Sequence, residues 1–331
     1  MFRHLRSDLL RRSLVVAVVL VAIAGSAGLA SAQKFPSGPI TLIVPWPAGG
    51  GSDIAMRMVA EAATKTFGVP VVVVNKPGAG GALGTRDIAT SAPDGYTIGM
   101  EGMGILARQY SVPNATLIKD VQPIVFFGSD PGALTVRADT GWKTVEDFVK
   151  AAKANPGKIR NGNDDPGGSS YITIAVFEKA LGIKVNRVPY KGYAPTVAAL
   201  LAGEIQTATV PVPDALEHHK AGKVRIIGVS DTKRHFAAPD VPTFKEQGFD
   251  VLYGSWRTIL GPRGIPEDRL KILEAKLLEA MHDKTFQDRA RNAGFAVGPM
   301  GTQETMARWA KDDTLIYPIL EEAGLVKYNK K

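Results

Sequence analysis

Apolar positions in this chain fall into short dense runs separated by stretches with helical spacing. Ile40-Thr41-Leu42-Ile43-Val44 is rich in β-branched residues and stops at Pro45, which predicts a strand. A turn at 47–51 follows. Ser52 or Asp53 then caps a predicted helix that runs to about Phe67, with Gly68 as its stop. Residues 71–74 are a continuous valine run, predicted as a second strand buried on both faces, as in a parallel sheet. A glycine-rich loop and another helical stretch lead to a third strand, Tyr96-Thr97-Ile98-Gly99-Met100. This β-α-β-α-β rhythm predicts an open α/β sheet.

The rhythm returns in the middle of the chain. A helix is predicted at 144–154, with Thr144 and Asp147 at capping-box spacing and Asp in the usual place of Glu. A strand starts at 159–161 and meets a loop at 162–170. A helix at 171–181 and strands at 185–189, 206–210 and 224–230 follow. From Pro266 the pattern turns helical, at 267–283 and 302–323. Two further strand-like passages, 124–136 and 251–262, join the regions without a disordered linker. A chain that leaves one domain, builds a second and returns by two strands makes a two-hinged, two-lobed protein.

The ends and the charge alter this picture. Arg3, Arg6, Arg11 and Arg12 precede an uncharged apolar run at 14–24, and Ala30-Ser31-Ala32 has small-x-small spacing before Gln33. That order predicts a cleavable secretory signal, 1–32, cut after Ala32; the run is shorter than the roughly 20 residues that a membrane span needs. Arg11-Arg12 leaves the twin-arginine route open beside the general secretory one. The whole chain carries 40 Lys+Arg against 32 Asp+Glu, a net +8. Removing four Arg and one Asp leaves 36 minus 31, or +5, so part of the basicity belongs to export. There is no cysteine, which excludes thiol nucleophiles, disulfides, cysteine-based metal sites and a lipidated cysteine. No basic run is interleaved with aromatics, so nucleic acid is not an expected partner.

Three glycine-bearing loops each lie between a predicted strand and a predicted helix. The first is Pro45-Trp46-Pro47-Ala48-Gly49-Gly50-Gly51-Ser52-Asp53. Unpaired N–H groups at a helix start, with the helix dipole, favour an anion, and glycine lets a ligand approach the backbone. A tight turn capped by Ser52 or Asp53 explains the same residues; Asp53 is read as a cap, since its charge opposes an anion. The second, Asn75-Lys76-Pro77-Gly78-Ala79-Gly80-Gly81-Ala82-Leu83-Gly84, departs from the dinucleotide fingerprint at Leu83. The third, Asn163-Asp164-Asp165-Pro166-Gly167-Gly168-Ser169-Ser170, has adjacent aspartates that read as solvated turn residues rather than a metal or acid/base pair. His4, His218, His219, His235 and His282 stand in no catalytic pattern, so no catalytic residue, metal or cofactor is expected.

The chain resembles the substrate-binding proteins of tripartite tricarboxylate transporters, the Bug-type periplasmic receptors. The resemblance rests on Ile43-Val44-Pro45 leading to Gly49-Gly50 and Asp53, on 75–84, and on Ala92-Pro93-Asp94-Gly95-Tyr96-Thr97. It continues with Gly168-Ser169, Val188-Pro189-Tyr190-Lys191-Gly192, Ala221-Gly222-Lys223-Val224-Arg225, Pro239-Asp240-Val241-Pro242-Thr243 and Ser255-Trp256. It implies an α/β, type II periplasmic-binding fold with two lobes joined by two hinge strands. The expected division is 33–130 plus 256–331 for lobe 1 and 131–255 for lobe 2, with hinges near 124–136 and 251–262. The resemblance places a ligand carboxylate at Trp46, Ala48, Gly49 and Gly50 and at Ala79, Gly80 and Gly81, with Gly167, Ser169 and Ser170 from the other lobe.

Three departures bear on the ligand. Where the family often has an Asp-Asn pair, this chain has Val210-Pro211, so an acidic partner for an amino group is expected to be missing. Arg257 follows Ser255-Trp256, and Glu101 follows the third strand. Either Arg257 meets a second carboxylate as a bidentate fork, or it pairs with Glu101 and shapes the pocket. The resemblance implies a monomeric, non-enzymatic periplasmic receptor for a small organic anion, a carboxylate or dicarboxylate, serving an inner-membrane tripartite permease. A sensor or an enzyme on the same two-lobed fold is the alternative.

Overall fold

The computed structural model describes residues 35–322 and 324–331. The expected export segment, 1–32, lies outside the described residues. Residues 35–37 belong to a separate compact unit, in which the Phe35-Pro36 peptide is cis; Gly38–Lys331 form the other unit.

In the larger unit, β1 (Ile40–Val44) pairs in parallel with β2 (Val71–Asn75) and with β3 (Thr97–Gly102). The crossovers are α1 (Gly51–Phe67) and α2 (Ala82–Ala89). The first ends as its sequence predicts, on Gly68 in the left-handed region, whose N–H returns to the Thr64 carbonyl. β2 corrects the expectation of a strand buried on both faces. It is the edge of the sheet, and Val72 is exposed, because only β1 lies beside it. An all-valine run reports β-propensity, not the number of neighbours.

The chain then forms α3 (Gly104–Ser111) and the long strand β4 (Val121–Arg137). The first part of β4 pairs antiparallel with β9 (Gly254–Pro262), from Val121↔Pro262 to Pro131↔Gly254, and with β10 (Val297–Met300). From Gly132 onward β4 pairs with β7 (Thr207–Pro211) and β8 (Val224–Ser230) instead. One strand therefore belongs to two sheets and carries the chain from the first α/β lobe to the second. β9 brings it back, pairing with β3.

The second lobe holds α4 (Val145–Ala154), β5 (Arg160–Asp164), α5 (Ser169–Leu181), β6 (Asn186–Tyr190), α6 (Tyr193–Ala202) and α7 (Val212–Lys220). The capping box at α4 forms: Asp147 N–H donates to Thr144 Oγ1 at 3.1 Å, and Thr144 N–H donates to Asp147 Oδ2 at 3.0 Å. α5 begins at Ser169, two residues before the expected start, because Gly168 takes the N-cap position. α8 (Glu267–His282), α9 (Lys284–Asn292) and α10 (Thr302–Glu322) pack on the first lobe, and Trp309, Ile316 and Leu320 of α10 join its core. α3 has no counterpart among the expected helices. Residues 104–110 are all buried, so it has no polar face for periodicity to reveal. Among the described residues no helix is long and apolar enough to cross a membrane.

Candidate functional site

The carboxyl ends of β1, β2 and β5 carry the three glycine loops, and the loops meet where the lobes face each other. α1 begins on Gly50, which has no side chain to cap the first turn. The N–H of Gly51 donates instead to Asp214 Oδ1, at 2.7 Å, from the first turn of α7 in the second lobe. A Cβ at Gly51 would lie 2.6 Å from Asp214 Oδ2, so only glycine permits this approach. The N–H of Gly80 donates across the same gap to Asp165 Oδ2 at 3.1 Å. The N–H of Gly104, at the start of α3, donates to Ser169 Oγ at 3.1 Å. Three backbone donors of one lobe thus hold three acceptors of the other.

The other expected residues sort by place. Trp46, Ser52, Ser169 and Arg257 line one small cavity with Tyr193, Gly102 and Ser255. Ser170 and Val210 line a second one beside Tyr193. Each is about large enough for one water molecule. Ala48 and Gly49 are exposed at the loop tip, and Gly50 faces Ala194, whose Cβ would be 3.7 Å from a Cβ added there. Gly81 supports the Trp46 ring, 3.2 Å from an added Cβ, and has φ +95°. Ala79 takes φ +49° in the same loop. Gly167, at φ +93°, packs on the stem of Arg108. Asp53 does not occupy the N-cap position. It accepts from Gly49 N–H at 3.0 Å, from Arg57 and from Asn75 Nδ2 at 2.9 Å. Burial opposes its charge, but these hydrogen bonds together hold its carboxyl below the usual range.

Glu101 and Arg257 do not pair. In the antiparallel register Gly102 faces Arg257 and Glu101 faces Thr258. Successive residues of a strand point to opposite faces, so the two charges lie on opposite sides of the sheet. Glu101 is fully buried against Arg108 and Thr85, away from the cleft cavities. Arg108 also donates to the Gly80 carbonyl at 2.8 Å, which ties this buried pair to the second glycine loop. Burial pushes the Glu101 carboxyl up while Arg108 pulls it down. The ligand contact expected of Glu101 is therefore corrected to a structural one.

Arg257 faces Asp130 of β4 in an ion pair, and its Nη2 lies 4.0 Å from Asp214 Oδ2. The approach to Asp130 is not along an N–H direction: Nε and Nη1 have no hydrogen-bond partner, nor do Asp130 Oδ1 and Asp214 Oδ2. The guanidinium also stacks 5.1 Å from the Phe295 ring centroid. Burial lowers the Arg257 pKa to about 9, which leaves it charged at neutral pH. The expectation that the cleft lacks an acidic group is overturned. The acid comes from Asp214, at the start of the helix after Val210-Pro211, and from Asp130.

The adjacent aspartates are not solvated turn residues. Asp164 is buried; its N–H donates to Ser170 Oγ at 2.8 Å and its Oδ2 accepts from Ser170 N–H at 3.4 Å. Burial pushes the carboxyls of Asp164 and Asp214 up to about 7 in each case. Tyr193, beside Ser169 and Ser255, is likewise pushed up by burial and by Asp164 and Asp214. Tyr193, Asp130 and Asp214 carry no local sequence signal for this role. Among the described residues, no three His, Asp or Glu side chains converge as a metal site would require.

A family model described as the tripartite tricarboxylate transporter family receptor matches residues 55–325. Protein BugT of Bordetella pertussis is 32% identical over 281 residues, 82% of this chain and 85% of that one. The solved periplasmic binding protein BugD is 28% identical, with a TM-score of 0.83 over 88% of this chain and all of its own. The MatC protein of Rhodopseudomonas palustris, solved with bound malate, is 24% identical and shares the fold, with a TM-score of 0.78 over 88% of this chain and 100% of that one.

Proposed function

This chain belongs to the tripartite tricarboxylate transporter receptor family, and on that premise we propose that it closes its lobes on a small organic carboxylate, dicarboxylates included, and delivers it to a membrane permease. The family is one of periplasmic solute-binding receptors rather than enzymes. The observation that carries the ligand class is the set of backbone donors at Gly51 and Gly80. Both already hold carboxylate oxygens, at 2.7 and 3.1 Å, and both lie where helical or turn N–H groups point into the cleft. Such donors stabilise an anion without a side-chain cation. Arg257, whose Nε has no hydrogen-bond partner, is suited to a second carboxylate.

The switch of β4 from β9 to β7 and β8 after Pro131 supports lobe limits at 33–130 plus 256–331 and 131–255. The permease subunits are the expected membrane partners, the receptor acting as a monomer after export and removal of 1–32. The N-terminal mass of the exported protein tests that cut; any start other than Gln33 refutes it.

A thermal-shift series with acetate, malonate, succinate and citrate tests the receptor reading, with recovery of the added acid by mass spectrometry. At a hundredfold excess over Kd, binding stabilises by about 2.7 kcal/mol, a shift of several degrees for a protein of this size. Stabilisation with the acid recovered intact is expected. No shift with any acid, or conversion of the acid, overturns it.

A further inference from the structure

The donors that suit a ligand carboxylate are occupied by the protein's own side chains. Asp214 reaches from α7 to the uncapped start of α1, 163 residues away in sequence. Its second oxygen, buried and without a hydrogen-bond partner, faces the Arg257 guanidinium at 4.0 Å. Asp214 therefore stands where a bound carboxylate would, between a helix N-terminus and the arginine of the cleft. Asp165 on Gly80 and Ser169 on Gly104 close the gap at two further points. The two cavities beside Tyr193, one lined by Trp46 and Arg257 and the other by Ser170 and Val210, admit about one water each, so a ligand reaches the Gly51 N–H only after these contacts part.

We propose that Asp214 is an internal surrogate ligand: its carboxylate latches the lobes shut in the free protein, and a ligand carboxylate must displace it from the Gly51 N–H. The proposal rests on the receptor reading for the identity of the competitor. The latch makes Asp214 a selectivity residue. A weak or singly anchored anion does not exchange for it, whereas an acid that engages the α1 start and Arg257 together does. The ligand-competent fraction of the free protein falls by the latched fraction, and apparent affinity falls with it.

The test compares wild type with Asp214→Ala, which removes the oxygen that accepts from the Gly51 N–H. The second variant, Gly51→Ala, places a Cβ 2.6 Å from Asp214 Oδ2 and pushes the side chain off while leaving its charge. Small-angle scattering reads the radius of gyration of each purified protein alone and with succinate, malonate or citrate. Titration calorimetry reads the affinity for the same acids. Wild type alone is expected to be compact. Both variants alone are expected to be expanded and to contract on adding an acid, and Asp214→Ala binds the acid at least tenfold more tightly. Equal radii for free wild type and both variants overturn the latch, as does an Asp214→Ala affinity equal to or weaker than wild type. If no acid binds wild type or either variant, the carboxylate-receptor reading fails. The radii of the free proteins still decide the latch.

Discussion

Arg257 is buried in an ion pair with Asp130, and its Nη2 lies 4.0 Å from Asp214 Oδ2. Replacing Arg257 with Ala leaves Asp130 buried without its ion-pair partner, a change that costs about 3–5 kcal/mol in comparable sites. Denaturant unfolding of Arg257→Ala is expected to show that loss. Binding gives a separate readout: the variant is expected to lose more affinity for a dicarboxylate than for its monocarboxylate counterpart, and equal losses argue against a second carboxylate at this position. Asp164 and Asp214 give a prediction in pH. Their carboxyls titrate at about 7 in the folded chain against 3.8 unfolded, so the folded state binds more protons between those values. Their contribution is fully present below pH 3.8 and is lost as pH rises through 7. Asp164→Asn removes one such contribution. Relative to wild type it is expected to gain stability progressively from about pH 4 to pH 8, by on the order of a few kcal/mol. A constant difference across that range would contradict the burial argument. The partners in these assignments are not legible in the chain alone. Asp164 looks like any aspartate before a Pro-Gly turn, and Arg257 and Glu101 look like a pair until the strand register puts them on opposite faces.

The elements divide by how much of their environment is local. α4 carries its own start signal in Thr144 and Asp147, and the capping box forms as the spacing predicts. Thr144→Ala is expected to lower stability by about 1 kcal/mol and to leave carboxylate affinity unchanged, since the cap lies outside the cleft. The second glycine loop depends on its neighbours instead. A Cβ at Gly84 would lie 2.7 Å from the Lys76 carbonyl and 2.8 Å from the Pro45 Cα, so α2 sits directly on the backbone of the first loop. Gly84→Ala is expected to cost roughly 1–3 kcal/mol by forcing these segments apart, and to weaken binding because Gly80 and Gly81 move with them. Chemical denaturation and calorimetry of the two variants separate the outcomes; retained affinity in Gly84→Ala would show that the loops are not coupled. Strands β1 and β8 and the C-terminus of α1 are legible in the sequence because β-branched runs and a glycine stop are local features. α3 is not, being buried all round, and the edge position of β2 is not, being a property of the sheet.

At the scale of the molecule, the two lobes meet through side chains that are far apart in sequence: Asp214 with Gly51, Asp165 with Gly80 and Ser169 with Gly104. Closure and ligand entry are therefore one equilibrium, biased by whichever carboxylate holds the helix start. The three glycine loops are legible as candidate anion sites in the sequence, since a strand, a glycine turn and a helix start fix the direction of the N–H groups between them. The amino-acid sequence by itself determined the α/β elements, the chain's return through two strand passages and the loops whose N–H groups suit an anion. These follow from periodicity and backbone freedom, which act over a few residues. Only the tertiary structure decided which charges share the cleft. That Arg257 faces Asp130 and Asp214 while Glu101 turns to Arg108 depends on strand register and on the approach of one lobe to the other. Electrostatic partners are set by distance in space and by burial, and neither is written in spacing along the chain.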